Sequence, residues 1–272
     1  MTHPGGRRVV LVTGASSGIG AGLARECARP DTGVCLFARR ADRLEAVAQE
    51  VTARGGDALA VVGDVTKDGD VEKAVTAALE RWGRLDVVYA NAGFGVSGPV
   101  ATLSLDDFRR QLETNVMGVL RTIQATLPAL KTSRGRLGII GSVAGYVASP
   151  GTAPYCMSKF AVRALANALR HEVRGQGVSV THVAPGFIAS EIRLRREEGR
   201  IAPPDEDPVP RWLVMPADKA ARIIVRAVER RRAEVVVTGH GKVLVWLVRH
   251  VPFFVDWAMS HGARRPGVRH RE

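Results

Sequence analysis

Tyr155 and Lys159 stand four residues apart in the segment PYCMSKFAVRALANALR, which has the composition of a helix. Because an α-helix turns once in 3.6 residues, positions i and i+4 share a face, and the phenol and ammonium groups can converge on one point. A nearby ammonium favours the phenolate and lowers the pKa of a phenol from its ordinary value of about 10. The pair predicts a tyrosine that exchanges protons near neutral pH, although the same spacing also describes an exposed aromatic residue beside a solvated lysine.

The elements that would position this pair are indicated by short apolar runs that alternate with helical segments. Amphipathic stretches at 41–54, 67–81 and 106–130 separate apolar runs, a pattern typical of a parallel sheet covered on both faces. The predicted strands are 7–14, 33–39, 57–64, 85–93, 135–142, 178–186 and 234–238. The sequence therefore predicts an α/β fold: a Rossmann-like, doubly wound parallel sheet of about seven strands in three α/β/α layers. We assign this domain to residues 1–238 and a C-terminal helical appendage to 239–272.

Ligands of such sheets bind at the carboxyl ends of the strands, where this sequence places a glycine-rich turn. The first strand runs into TGASSGIG, whose spacing Gly-x-x-x-Gly-x-Gly differs from the Gly-x-Gly-x-x-Gly fingerprint. Glycines permit a tight turn and close backbone approach, and the following helix offers free N–H groups to a pyrophosphate. The candidate cofactor-binding residues of this turn are Gly14, Ser16, Ser17, Gly18, Ile19 and Gly20.

The second strand ends at Ala38 and is followed by Arg39 and Arg40. An acidic residue at this point binds a ribose 2′-hydroxyl, whereas an arginine accommodates a 2′-phosphate. The segment therefore favours NADP(H), with NAD(H) as the alternative, and Ser16 can add a hydrogen bond. Asp64, at the end of the third strand, is placed to meet an adenine edge.

Charge and cysteine content narrow the functional classes. The net charge of +12 suits nucleic acid or an anionic membrane, but the arginines are scattered and accompany no known nucleic-acid-binding motif. We predict no nucleic-acid partner. Cys27, Cys35 and Cys156 lack metal-ligand or Cys-x-x-Cys spacing, so we predict no metal site and no disulfide. No stretch of the first thirty residues has the apolar core of a signal peptide, and we expect a cytoplasmic protein.

Seven motifs, taken in their order along the chain, closely resemble those of the short-chain dehydrogenase/reductase family. The resemblance extends over about residues 7–238, and an ordered set is far more specific than any one motif. The motifs are TGASSGIG at 13–20, DVT at 64–66, NAG at 91–93, ETNVMG with Asn115, GSVAG with Ser142, YCMSK with Tyr155 and Lys159, and PG at 185–186.

The resemblance implies a role for each of these positions. Tyr155 would be the general acid or base, and Lys159 would lower its pKa and bind the nicotinamide ribose. Ser142 would hydrogen-bond the substrate oxygen, and Asn115 would interrupt its helix to hold a water that links Lys159 to solvent. Further cofactor contacts are implied at Val65, Asn91, Ala92, Gly93, Pro185, Gly186, Ile188 and Ser190, the last of which is often a threonine in the family.

The implied function is that of an NADP(H)-dependent oxidoreductase that interconverts a carbonyl compound and an alcohol by hydride transfer. The family also implies a homodimer or homotetramer. The alternative is a catalytically silent dinucleotide-sensing or scaffold protein of the same fold, and the retention of both Tyr155 and Lys159 disfavours it.

Two segments beyond these motifs bear on the substrate and on partners. Residues 190–212 contain four prolines and many charges, which suits a lid over the nicotinamide. An apolar wall suited to a lipophilic ketone or aldehyde is predicted from Phe94, Val96, Val143, Tyr146, Phe187 and Trp212.

The C-terminal segment 243–259 is rich in apolar residues but interrupted by Arg249, His250, Pro252 and Asp256, and falls short of a membrane span of about 20 apolar residues. Three interpretations stay open: it packs over the substrate pocket or a partner subunit, it lies in a membrane interface with the following arginines on anionic head groups, or it is a core helix.

Overall fold

A computed structural model describes residues 7–189 and 209–262 and contains a parallel sheet of seven strands. The strands are β1 Arg8–Thr13, β2 Thr32–Ala38, β3 Asp57–Val62, β4 Val87–Ala90, β5 Arg136–Ile140, β6 Ser179–Ala184 and β7 Glu234–Val236. Their order is β3-β2-β1-β4-β5-β6-β7, and every neighbouring pair is parallel. The predicted fold class is confirmed. The strand order reverses between β1 and β4, which opens a cleft at the carboxyl ends of these strands.

Helices cover both faces of the sheet because its strands are apolar on both sides. In β1, Val10 and Val12 face a core shared with the first, second and seventh helices, whereas Val9 and Leu11 face a core shared with the third, fifth and sixth. The helices are α1 Gly18–Cys27, α2 Ala41–Ala53, α3 Asp70–Trp82, α4 Leu105–Leu112, α5 Gly118–Ser133, α6 Ala153–Glu172, α7 Ala217–Glu229, α8 Gly239–His250 and α9 Pro252–Gly262. The three-layer arrangement follows from these two cores.

The single helix predicted over 106–130 is divided in the structure. A π-helical turn, Glu113–Met117, joins α4 to α5. Its central residue, Asn115, is fully buried and forms two hydrogen bonds with the backbone of Phe94, in the segment that follows β4. The interruption at Asn115 that the family resemblance implied is therefore present, and π-turns of this kind are frequent at functional sites.

The helical appendage predicted at the C-terminus is present as α8 and α9. Val245 on α8 is buried against Tyr146 and Ala184, so α8 packs onto the main domain. Among the described residues, no single helix is long and apolar enough to cross a membrane. Within that part of the chain, α8 and α9 taken together reach the required length and composition, and the two are bent relative to each other by 114°.

Candidate active site

The glycine-rich turn between β1 and α1 forms one end of the cleft. Gly14 and Gly18 adopt φ values of +67° and +53°, in the left-handed region that favours glycine. A side chain at Gly20 would place its Cβ 2.1 Å from the carbonyl oxygen of Gly14, so only glycine fits beneath the turn. The turn thus brings backbone groups and the N-terminus of α1 to the floor of the cleft, where an anionic group can be bound.

Thr13 fastens this turn to the end of β4. Its hydroxyl accepts hydrogen bonds from the backbone N–H groups of Asn91 and Ala92 at 3.0 and 3.1 Å, and Asn91 Nδ2 donates to the Thr13 carbonyl oxygen at 2.9 Å. The two strands that border the cleft are therefore tied together at their carboxyl ends. We did not predict a role for Thr13, although a hydroxyl residue that directly precedes Gly14 was a usable signal.

Substitution of Gly20 tests how strictly the turn is shaped. Gly20→Ala is expected to weaken binding of a nicotinamide dinucleotide by about tenfold or more, because the Gly14 backbone must shift to make room for the methyl group. Gly175→Ala is the matched control, because a Cβ there meets nothing within 4 Å. Calorimetric titration of both variants measures the effect, and equal affinities would contradict this account of the turn.

Two arginines line the cleft beyond β2. Arg40 donates hydrogen bonds to the hydroxyls of Ser17 at 2.8 Å and Ser16 at 3.2 Å, so its guanidinium lies beside the glycine-rich turn. Arg39 forms an ion pair with Asp64 at 3.5 Å. The Asp64 carboxylate also accepts from the backbone N–H of Thr66 at 3.0 Å, which fixes its orientation at the end of β3. This end of the cleft is therefore cationic, with one carboxylate beside it.

Tyr155, Lys159 and Ser142 meet at the opposite end of the cleft. Tyr155 and Lys159 lie on the first turns of α6, and the Lys159 Nζ lies 5.6 Å from the centre of the Tyr155 ring. Lys159 is buried and donates to the Ile140 carbonyl oxygen at 3.0 Å. Ser142 follows β5, and its hydroxyl oxygen accepts from the Ala144 N–H at 3.1 Å. The predicted phenol, ammonium and hydroxyl groups are thus brought together.

The pKa shifts of this group correct one expectation from the sequence. Burial raises the pKa of Tyr155, while a hydrogen bond with Ser142 acts in the opposite direction. Burial lowers the pKa of Lys159 to about 8. The predicted lowering of the phenol pKa is therefore wrong for this structure, because burial of the phenol outweighs its hydrogen bond with Ser142. At neutral pH the phenol keeps its proton.

Asn115 does not line the cleft, but its side chain holds residues next to the cleft in place. Its side chain accepts from the Phe94 N–H at 3.0 Å and donates to the Phe94 carbonyl oxygen at 2.9 Å and to the Ser158 hydroxyl at 3.1 Å. Ser158 precedes Lys159 on α6, so Asn115 links the segment after β4 to the helix that carries the reactive pair. Its implied role in holding a water stays a prediction.

Most of the predicted site residues border one cleft. Those that line it are Gly14, Ser16, Ser17, Gly18, Ile19, Arg39, Arg40, Asp64, Val65, Asn91, Ala92, Gly93, Ser142, Tyr155, Lys159, Pro185, Gly186 and Ile188. Gly20 and Asn115 support the lining residues from behind, and Ser190 lies outside the described residues. The cleft also includes Phe37, Gly63, Thr114, Ile140 and Gly141, which we did not predict, although each adjoins a strand end or a motif residue in the sequence.

The predicted substrate wall is only partly supported. Phe94 lines the cleft, whereas Tyr146 is directed away from it. The Tyr146 ring is buried under the Arg163 guanidinium, 3.8 Å from the ring centre, and its hydroxyl donates to the Glu234 carboxylate. Glu234 also accepts from Arg249 of α8 at 2.7 Å. Tyr146 therefore joins the loop after Ser142 to β7 and α8, because a buried phenol needs a hydrogen-bond partner.

The first turn of α8 lies beside the segment that follows β6. His240 stacks on Phe187 with ring centres 5.2 Å apart, and the Phe187 N–H donates to His240 Nε2 at 3.3 Å. The Thr238 hydroxyl is 3.1 Å from the same nitrogen. Gly186 lines the cleft, and Thr238 and His240 leave no room for a side chain there. The appendage therefore helps to fix this wall of the cleft.

The residues present fit a nicotinamide dinucleotide. Gly20 lets the start of α1 pack directly under the Gly14 carbonyl, which keeps the glycine-rich turn tight at the helix N-terminus, where free backbone N–H groups can meet a pyrophosphate. The cationic end at Arg39 and Arg40 suits the adenosine side, and the end at Tyr155 and Lys159 suits the reacting ring. One continuous cleft connects these two ends.

Comparisons with known proteins agree with this geometry. The family model described as short chain dehydrogenase matches residues 8–200. An uncharacterized oxidoreductase of Listeria monocytogenes is 37% identical over 188 residues, which are 68% of this chain and 76% of that protein. An alcohol dehydrogenase of the archaeon Thermococcus sibiricus, complexed with 5-hydroxy-NADP, is 30% identical with a TM-score of 0.74, covering 85% of this chain and 96% of that one.

The fold is also that of a short chain dehydrogenase/reductase from Burkholderia phymatum in complex with NAD. That structure has a TM-score of 0.80 and 24% sequence identity, and the match covers 100% of both chains. The likeness therefore extends through α8 and α9.

Proposed function

This chain belongs to the short-chain dehydrogenase family and is an oxidoreductase that acts on CH–OH groups. From that premise we propose that it depends on NADP(H) and interconverts a lipophilic ketone or aldehyde with its alcohol. The observation that carries the proposal is the cleft itself. A glycine-rich turn and two arginines lie at one end, and a phenol, an ammonium and a hydroxyl lie at the other.

The catalytic roles follow from the hydrogen bonds available to each group. A bound nicotinamide dinucleotide supplies or accepts the hydride. Tyr155 donates its phenolic proton to the carbonyl oxygen during reduction and takes a proton from the alcohol during oxidation. Ser142 accepts from the Ala144 N–H, and its own O–H, which is hydrogen-bonded to Tyr155 here, would turn to donate to the same substrate oxygen when a substrate binds. Lys159 uses one N–H on the Ile140 carbonyl and retains further donors for a ribose hydroxyl.

The preference for NADP(H) rests on the end of β2. Ala38 supplies no carboxylate that would bind a ribose 2′-hydroxyl or repel a phosphate, and the guanidinium groups of Arg39 and Arg40 both border the cleft. Guanidinium groups bind phosphate oxygens through charge-assisted hydrogen bonds, and Arg40 is already held by Ser16 and Ser17. NAD(H) is expected to bind more weakly because it lacks that phosphate.

The proposal is tested by NADPH and NADH oxidation in the presence of lipophilic ketones and aldehydes. Turnover with NADPH at a kcat/KM at least about tenfold above that with NADH is the expected result. Binding of either cofactor without turnover of any carbonyl compound would instead support a dinucleotide-sensing protein. Binding of neither would overturn the proposal.

Arg39→Asp separates cofactor preference from catalysis in the same assay. It is expected to weaken NADPH binding by about tenfold or more and to shift the preference toward NADH, because a carboxylate repels the 2′-phosphate. Arg54→Asp makes the same change of charge at the exposed far end of α2 and serves as the control for long-range electrostatics. An unchanged NADPH:NADH ratio in Arg39→Asp would contradict the assignment.

Assembly and location are part of the same proposal. We expect a homodimer or homotetramer, in line with the family, and a cytoplasmic location. Cys27, Cys35 and Cys156 are all free, which suits a reducing compartment.

A further inference from the structure

The outer surface of α8 and α9 carries large apolar side chains that nothing in the described part of the chain covers. The exposed fractions are 60% for Val243, 56% for Trp246, 88% for Phe253, 55% for Phe254 and 57% for Trp257. We call these five residues the C-terminal apolar face. Single exposed apolar residues are common, but five on two consecutive helices mark an interaction surface.

The spacing and stacking of these side chains make an ordered surface. Val243 and Trp246 are three residues apart on α8, and Phe253 and Trp257 are four apart on α9, so each pair shares one side of its helix. Trp246 stacks on His250 with ring centres 4.8 Å apart, and the Trp257 and His261 rings lie 4.9 Å apart in a tilted arrangement. Each tryptophan is therefore flanked by a polar imidazole, as suits a boundary between apolar and aqueous surroundings.

One side of α8 packs against the main domain, so the opposite side is the one available to a partner. Gly241 packs against Val143, Val245 is buried, and Arg249 pairs with Glu234 of β7 at 2.7 Å. Helix α9 packs chiefly against α8, with Val255 as its buried residue. The two helices therefore form a pair that is attached to the domain through α8 and has an apolar outer surface.

The charge of the C-terminal sequence indicates the partner of this face. Lys242 is exposed in the first turn of α8 and Asp256 is exposed on α9, and the sequence from 263 to 272 contains Arg264, Arg265, Arg269 and Arg271 with one acid, Glu272. Aromatic side chains next to clustered cations are the combination that binds an anionic bilayer surface, because apolar groups enter the interface while cations meet the head groups. The 114° bend between the helices suits a pair that lies in the interface rather than crosses it.

A second copy of the chain is a poorer occupant. A two-fold contact through this face would bring the same surface of two molecules together, on chains that each carry a net charge of +12. Like charges brought together at an interface oppose association, whereas anionic lipids neutralise them. We propose that the C-terminal apolar face docks this enzyme onto the surface of an anionic bilayer.

Vesicle flotation tests the proposal with the full-length chain. Binding to phosphatidylcholine vesicles that contain about one-third phosphatidylserine is expected to exceed binding to pure phosphatidylcholine vesicles by about tenfold or more, and to fall with added salt. The double variant Phe253→Ser/Trp257→Ser should lose at least about tenfold of this binding. Leu105→Ser, which removes a residue that is 72% exposed on α4, is the matched control and should bind like the unmodified chain.

A fluorescence measurement keeps the test independent of how the double variant folds. Vesicles with brominated acyl chains should quench the tryptophan emission of the unmodified protein, and Trp246→Phe/Trp257→Phe should still bind while losing most of this quenching. Failure of the unmodified chain to bind anionic vesicles would overturn the proposal, as would unaltered quenching in Trp246→Phe/Trp257→Phe. A change from dimer to monomer in Phe253→Ser/Trp257→Ser, without lipid binding by the unmodified chain, would assign the face to a second copy.

Discussion

Tyr155→Phe is expected to lower kcat for carbonyl reduction by about 10²- to 10⁴-fold while the affinity for NADPH stays close to that of the unmodified enzyme. The substitution removes one hydroxyl and leaves an aromatic ring of the same shape in place. The proton donor is lost, but the glycine-rich turn and the arginines at the other end of the cleft are untouched. Steady-state kinetics and an NADPH titration on the same preparation separate the two effects.

Tyr89→Phe provides the matched control for this loss. Tyr89 is a fully buried tyrosine of β4 whose ring lies in the core, outside the cleft lining. Removal of its hydroxyl should leave kcat nearly unchanged, because the hydroxyl takes no part in proton transfer. Retention of substantial activity in Tyr155→Phe, or an equal loss in Tyr89→Phe, would contradict the assignment of Tyr155 as the proton donor.

The pH dependence of the unmodified enzyme is a second readout of the same assignment. Because burial raises the pKa of Tyr155 above its ordinary value of about 10, the phenol stays protonated through the neutral range. Carbonyl reduction uses the protonated phenol and should be insensitive to this group there. Alcohol oxidation needs the phenolate, so its rate should rise with pH, and this rise should vanish in Tyr155→Phe.

The sheet and the cleft could be predicted from the sequence because both follow from local patterns. Continuous apolar strands such as VVLV in β1 indicate burial on both faces, and their alternation with helical segments favours a helix-covered parallel sheet. The glycine-rich turn was predicted because the backbone at Gly14 and Gly18 needs positive φ values. Strand ends were less well predicted: the fourth strand, expected over 85–93, is limited to Val87–Ala90, because the following residues turn into the cleft and bond to Thr13 and Asn115.

The properties that failed to emerge from the sequence depend on contacts between distant parts of the chain. Adjacency of Tyr155 and Lys159 suggested a lowered phenol pKa, but the sign of the shift is decided by burial under other elements. Tyr146 follows Ser142 closely and looked like a substrate contact. Its hydrogen-bond partner Glu234 is 88 residues away in sequence, and this bond directs the Tyr146 hydroxyl away from the cleft. Neither the raised Tyr155 pKa nor the position of Tyr146 can be predicted from neighbouring residues in the sequence.

Lys159→Met is expected to abolish most of the activity and, at the same time, to make the cofactor-free protein more stable at pH 7. Lys159 is buried, and its pKa of about 8 means that the folded protein holds the ammonium less readily than the unfolded chain does. A shift of this size from 10.5 corresponds to about 3 kcal/mol of unfolding free energy. The variant also loses the hydrogen bond to the Ile140 carbonyl, which reduces the expected stabilisation by about 1 kcal/mol.

The sign of the pH dependence follows from proton binding in the two states. Below about pH 8 both states carry the proton, and the full cost of the buried charge is present. Between about pH 8 and 10.5 the unfolded chain binds more protons than the folded one, so the free energy of unfolding of the unmodified protein should rise with pH. Lys159→Met has no group that titrates at this position and should lose that rise.

Thermal unfolding between pH 7 and 10, without cofactor, measures both effects, because a bound ligand would raise the melting temperature by mass action. At pH 7, Lys159→Met should melt about 5 °C above the unmodified protein. Lys131→Met removes an exposed lysine of α5 and should show neither the stabilisation nor the changed slope. A lower melting temperature for Lys159→Met at pH 7 would mean that the Ile140 hydrogen bond outweighs the buried charge. The predicted combination, greater stability with lost activity, would instead identify Lys159 as a residue that lowers stability and is kept for its function.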